Sequence, residues 1–203
     1  LGYFAIFFSI FLGLCPLIYL LWRLAMGQYG AAPIEVILHF LGLWGIYFLL
    51  GILVALGLGG LLGQYKKYRK KHTQKPKAHA KTLSYIAKIL GLYGLFYTSG
   101  HIFFYVVFIQ GLQWGHIINE LLNRIYLFLG LMGFLCLVVL GIFSIFFSRL
   151  FRYVSPLFYL AGLLGSIHYL IGQKIPSPSS YAIFLVFFAF VCVKLLEKNK
   201  DKQ

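Results

Sequence analysis

The 203-residue chain is 61% hydrophobic, 19% aromatic and 11% charged, with a mean hydropathy of +0.88 and a formal net charge of +14. That composition excludes a soluble globular domain. The four acids, Glu35, Glu120, Glu197 and Asp201, stand at or beyond the ends of apolar runs, which leaves proton-coupled transport and two-carboxylate hydrolysis without their usual groups.

Six apolar runs follow one another, at about 3–24, 36–62, 84–110, 125–148, 155–173 and 180–196. A bilayer-crossing helix needs roughly 20 mostly apolar residues, and each run is long enough. Lipid offers backbone polar groups no partner, so the runs are expected as helices, and their unbroken rather than alternating hydrophobicity argues against a barrel. The expected fold class is all-α, a polytopic bundle of six transmembrane helices forming a single domain over 1–203.

The first run lacks a basic stretch before it and a small-residue cleavage site after it, so it reads as a span rather than a signal peptide. Pro16 lies inside it and is expected to kink it. A short outer loop at 25–35 leads to the second run, which opens near His39 and ends on LGLGGLLG at 56–63. No strand precedes that glycine cluster and no acid follows at the right distance, so it is not a dinucleotide-binding turn. The link at 63–82 holds Lys66, Lys67, Arg69, Lys70, Lys71, Lys75, Lys77 and Lys81, together with Pro76, His72 and His79. It reads as a mobile basic loop against anionic headgroups or an acidic partner.

The third run carries His101. The outer loop at 111–124 is expected to hold a short interfacial helix with Trp114 at headgroup level, His116 beside it and Arg124 at its end. Arg149 and Arg152 separate the fourth and fifth runs, the fifth carries His168, and KIPSPS at 174–179 forms a tight outer turn before the sixth. Lys194, Lys198, Lys200 and Lys202 close the chain. Basic residues thus collect on one side of a six-span chain, which places both termini and the 63–82 loop in the cytoplasm. They read as topology signals, and nucleic acid is not an expected partner. Cys15, Cys136 and Cys192 fall in three different runs with no metal-binding spacing, and no internal repeat is apparent.

Of the six histidines, His101 and His168 are the intramembrane ones. Gly91, Gly94, Thr98 and His101 follow at steps of 3, 4 and 3, and Ala161, Gly165, His168 and Gly172 at steps of 4, 3 and 4, so each set shares one helical face. With outward-running helices the two histidines fall level with each other in the outer half of the membrane. Two readings fit. The pair can hold a porphyrin between small-residue faces as axial ligands, or each imidazole can simply bond neighbouring helices together.

The stretch PLIYLLWRLAMGQYGAAPIEVILHFLGLWG at 16–45 bears on that choice, with Gly30, Pro33, Glu35, His39, Gly42 and Trp44 in the pattern GxxPxE then HxxGxW. It resembles the MsrQ (YedZ) family, heme-binding membrane subunits of a periplasmic methionine sulfoxide reductase system within the ferric-reductase-like transmembrane superfamily. ILGLYGLFYTSGHIFFY at 89–105, LNRIYLFLGLMG at 122–133 and YLAGLLGSIHYLIGQKI at 159–175 are similar to that family's later helices, in the same order. The resemblance implies a six-helix heme b protein. It would take electrons from a cytoplasmic flavin reductase or membrane quinol and pass them to a periplasmic molybdopterin methionine sulfoxide reductase. FMN or a quinone is the candidate second cofactor, and the bacterial inner membrane the implied location.

His101 and His168 carry over as heme ligands, and His39 and Arg124 as contributors to the outer heme environment. Arg23, Arg124 and Lys174 are the outer cations available to propionates, while Gly91, Gly94, Gly165 and Gly172 make room for the macrocycle or pack helices closely. The chain departs from the family where a further histidine is usual: it has Ser155 before Pro156. One heme rather than two is therefore expected, with no bond chemistry by the chain itself. A ferric-chelate or oxygen reductase and a heme-free membrane scaffold are the alternatives.

Overall fold

The structure is a computed structural model that describes residues 2–30, 32–68 and 77–200. They form α1 (Gly2–Ala25), α2 (Pro33–Tyr68), α3 (Lys77–Phe104) continued by a π-helical turn (Tyr105–Ile109), α4 (Trp114–Asn123), α5 (Ile125–Phe146), α6 (Phe151–Val154), α7 (Leu157–Ile171) and α8 (Pro178–Lys200). No strand occurs among the described residues. Among the described residues, six helical stretches are long and apolar enough to cross a membrane: Ile6–Ala25, Pro33–Gly57, Thr82–Ile109, Ile125–Phe146, Phe151–Ile171 and Pro178–Leu196. Their outward faces are apolar, with Phe4, Phe7, Phe11, Leu185 and Phe188 among many exposed side chains, as befits helices whose solvent is lipid.

The basic link differs from expectation. Helix α2 continues to Tyr68 and α3 already begins at Lys77, so the flanks of 63–82 are helical, and 69–76 lie outside the described residues. Lys, Gln, Tyr and Ala prolong a helix past its apolar part at little cost once it reaches water. The interfacial helix is present as α4, with Trp114, Ile118 and Leu122 exposed along one face at steps of four. Gly111 (φ 56°) and Leu112 (φ 60°) turn the chain into it in the left-handed region.

The chain divides into two compact units, Leu1–Phe104 and Tyr105–Gln203. In the first, α3 packs against both α1 and α2. Pro16 lies within α1 and supplies no N–H to the preceding turn. Nearby, Tyr93 Oη donates to the Ile10 carbonyl and the fully buried Tyr97 Oη to the Gly13 carbonyl, both at 3.0 Å. A Cβ on Gly13 would stand 2.1 Å from the Tyr93 ring. Gly13→Ala is therefore expected to cost about 1–3 kcal/mol by overpacking. Thermal unfolding followed by circular dichroism in detergent checks it, and an unchanged midpoint would refute this docking of α1.

In the second unit α5 packs against α4, α6 and α7, and α7 against α8. Ser177 caps α8, its hydroxyl accepting from the Ser180 N–H at 3.4 Å, and Pro178 takes the first helical position, where its missing N–H costs nothing. The ring of Phe187, wholly buried, lies over Gly162 of α7.

Candidate functional site: two carbonyl-anchored histidines

His101 stands in the last turn of α3 and His168 in the last turn of α7. In the first unit His101 Nδ1 donates to the Leu38 carbonyl of α2 at 2.8 Å. In the second, His168 Nδ1 donates to the Tyr126 carbonyl of α5 at 2.7 Å. A carbonyl oxygen only accepts, so each Nδ1 carries the proton. In a neutral imidazole Nε2 is then the nitrogen with a lone pair, the tautomer a metal ligand requires.

The two anchors are built alike. One turn after the accepting carbonyl stands a glycine under the ring: a Cβ on Gly42 would lie 2.9 Å from His101 Nδ1, and one on Gly130 would lie 2.7 Å from His168 Nδ1. Three residues further stands a second glycine, where a Cβ would reach the residue seven positions before the histidine: one on Gly45 would lie 3.7 Å from the Gly94 carbonyl and one on Gly133 3.4 Å from the Ala161 carbonyl. The sequence carries the same signature twice, FLGLWG at 40–45 and FLGLMG at 128–133. An internal repeat therefore exists that a scan of the sequence for long periods passes over. Six residues are short, and their meaning appears only when both segments are seen seating a histidine.

The glycines on the histidine helices divide in role. Gly94 lies against Leu49, Gly45 and Phe48, and Gly91 approaches Ile52, so both serve close packing of α3 on α2. A Cβ on Gly172 would press on its own helix at the His168 carbonyl, 2.9 Å away. Gly165 alone of the four has nothing within 4 Å of where a Cβ would stand, which leaves open space one turn before His168. Thr98 Oγ1 donates to the Gly94 carbonyl at 2.7 Å.

The other predicted residues lie outside these anchors. His39 is exposed on α2, next in sequence to the Leu38 whose carbonyl holds His101. Arg124, at the break between α4 and α5, pairs with Glu120 at 2.7 Å and donates to Tyr126 Oη at 3.3 Å. The Tyr126 hydroxyl and the Glu120 carboxylate both raise its pKa above the ordinary arginine value, so the guanidinium stays charged. Arg23 stacks on Tyr29, 5.0 Å from the ring centroid, and donates to the Gln28 carbonyl at 3.3 Å. Burial pushes the Tyr29 phenol up, although Arg23 opposes this. Lys174 is exposed in the turn after α7. His116 Nδ1 pairs with Gln110 Oε1, and His72 lies outside the described residues. Ser155 donates to the Arg152 carbonyl at 2.9 Å, a local helix-end bond.

No family profile matches the chain, and no solved structure matches it. Curated relatives do. The chain is 31% identical over 196 residues to the protein-methionine-sulfoxide reductase heme-binding subunit MsrQ of Pasteurella multocida, covering 91% of this chain and 87% of that protein. It is 29% identical over 193 residues to the MsrQ of Agrobacterium fabrum, covering 91% and 78% respectively. With the MsrQ of Rhodospirillum rubrum the identity is 31% over 180 residues, covering 86% and 77%.

Proposed function

The chain belongs to the MsrQ family, and from that membership we propose that it is a b-type heme electron-transfer subunit whose iron is held by His101 and His168. The observation that carries this reading is the hydrogen bond from each Nδ1 to a backbone carbonyl, which assigns the lone pair to Nε2 in both rings. The donor set fits a heme: two neutral nitrogens, each oriented from behind, as ligating histidines commonly are. The relatives' name, protein-methionine-sulfoxide reductase heme-binding subunit, supports the same reading.

Heme bound there supplies a one-electron couple. The residues of this chain bind and orient. Leu38 and Tyr126 carbonyls fix the tautomers, and Gly165 leaves clearance one turn before His168. Arg124, together with Arg23 and Lys174, offers positive charge to propionates, and His39 contributes to the polar rim. The proposed domain is a single heme-binding one over 1–203, and Ser155 in place of the family histidine limits it to one heme.

In the proposed setting the chain spans the bacterial inner membrane with both termini cytoplasmic. Electrons enter from a cytoplasmic flavin reductase, through FMN, or from membrane quinol, and leave to a periplasmic molybdopterin methionine sulfoxide reductase. The test is an oxidised and dithionite-reduced absorption spectrum of the purified chain with a pyridine hemochrome count. Sharp reduced bands at one heme per chain support the proposal. A featureless spectrum from folded protein expressed with ample heme would sink it.

A further inference from the structure

We propose that Gly42 and Gly130 are positioning residues for the two imidazoles, and that through the Leu38 and Tyr126 carbonyls they set the electron donation of each Nε2. The inference rests on His101 and His168 being heme ligands, and it adds a role for two glycines on the helices opposite them.

The geometry requires a residue without a side chain. On one helix the accepting carbonyl at position i and the glycine at i+4 lie on the same face. The incoming ring must pass over the glycine to reach the carbonyl. At Gly42 a Cβ would stand 2.9 Å from Nδ1 and 3.1 Å from Cε1 of His101. At Gly130 it would stand 2.7 Å from Nδ1 and 3.0 Å from Cε1 of His168. Real Cβ atoms essentially never approach that closely, and the imidazole is a stiff ring rather than a yielding chain end. An added methyl pushes the ring off the carbonyl. The helices are packed closely beside each seat, since a Cβ on Gly45 would already meet Thr98 Oγ1 at 2.7 Å and one on Gly133 the Ala161 carbonyl at 3.4 Å.

The chemistry follows from that bond. An Nδ1–H held by a carbonyl makes the opposite nitrogen more basic and a stronger donor to a metal. A stronger donor favours oxidised iron, so losing the bond raises the reduction potential. Because the arrangement occurs once in each unit, both variants should act in the same direction. A helix-packing role alone would change stability and leave the potential where it was.

The experiment compares G42A and G130A with G51A, an alanine change on α2 away from the rings, where a Cβ would meet only the end of the Leu90 side chain at 3.2 Å. The full chain is reconstituted with heme, and its affinity and reduction potential are measured. The expected result is a loss of heme affinity of about 10–100-fold in G42A and G130A, the range for outer-shell changes at metal sites, with the potential raised. G51A should keep the potential of the unaltered chain. A potential unchanged in both seat variants would overturn the proposal. A second arm uses ring-nitrogen NMR of the heme-free chain labelled with 15N-histidine. Two Nδ1–H rings in the unaltered chain, one perturbed by each variant, support the seat. Nε2–H rings at His101 and His168 overturn it. If the unaltered chain takes up no heme, the ligation reading fails while this arm still decides the seat.

Discussion

His101→Ala and His168→Ala should each strip the purified chain of heme, even though each variant keeps the other histidine. The expectation comes from counting ligands against irons. If both imidazoles serve one iron, either change leaves a single ligand, and a five-coordinate heme in an apolar slot is held far less tightly. The loss should exceed the roughly hundredfold that an outer-shell change can cost. Any residual heme should show a high-spin spectrum, with the sharp reduced bands gone. Were the two histidines to serve separate irons, each variant would instead keep about half the heme of the unaltered chain, and half-retention would overturn the shared-iron reading. Ser155 sharpens the contrast, because its hydroxyl is engaged with the Arg152 carbonyl at 2.9 Å and is a poor axial ligand. The pyridine hemochrome reads the ratio directly, and circular dichroism shows whether the variants remain folded.

Much of this architecture was legible in the sequence because lipid simplifies the code. All six apolar runs correspond to helices able to span, and the amphipathic spacing of Trp114, Ile118 and Leu122 betrays α4. Hydropathy does not report where a helix stops once it leaves lipid. Residues 63–68 and 77–82 are basic and also helical, so the expected loop narrows from both ends. The site was half legible. Periodicity finds the faces of the helix that bears a histidine, which singles out Gly94 and Gly165. It is silent about the helix opposite. The bonds His101–Leu38 and His168–Tyr126 join residues 63 and 42 apart in sequence, and nothing local marks a backbone carbonyl as a partner. Gly42 and Gly130 acquire meaning only from the ring above them. The doubled FLGLxG segment was the available signal, and it needed two different intervals to two different histidines before it could be recognised.

Gly162→Ala and Phe187→Ala should each loosen α8 from α7, and the two together should cost less than their sum. Phe187 is wholly buried, and a Cβ on Gly162 would stand 2.2 Å from its Cε1 atom. In lipid, helices gain no hydrophobic drive from meeting one another, so such a ring-in-glycine contact carries the association by packing alone. Adding the methyl forces the ring out of place, at about 1–3 kcal/mol. Removing the ring empties the groove, at up to about 3–5 kcal/mol by the scale of buried Phe→Ala changes. In the double variant the methyl enters space the ring has left, which predicts a favourable coupling of about 0.5–3 kcal/mol. Equilibrium unfolding in mixed micelles measures all four corners of the cycle. Additivity within about 0.3–0.5 kcal/mol would mean that this contact does not hold α8 in place. The consequence reaches the site, because the freed helix is the one that backs α7, and α7 carries His168 six residues beyond Gly162. Heme affinity should fall in both single variants and recover partly in the double, while the reduction potential of the heme that remains stays that of the unaltered chain, since neither change touches the bond from His168 to Tyr126.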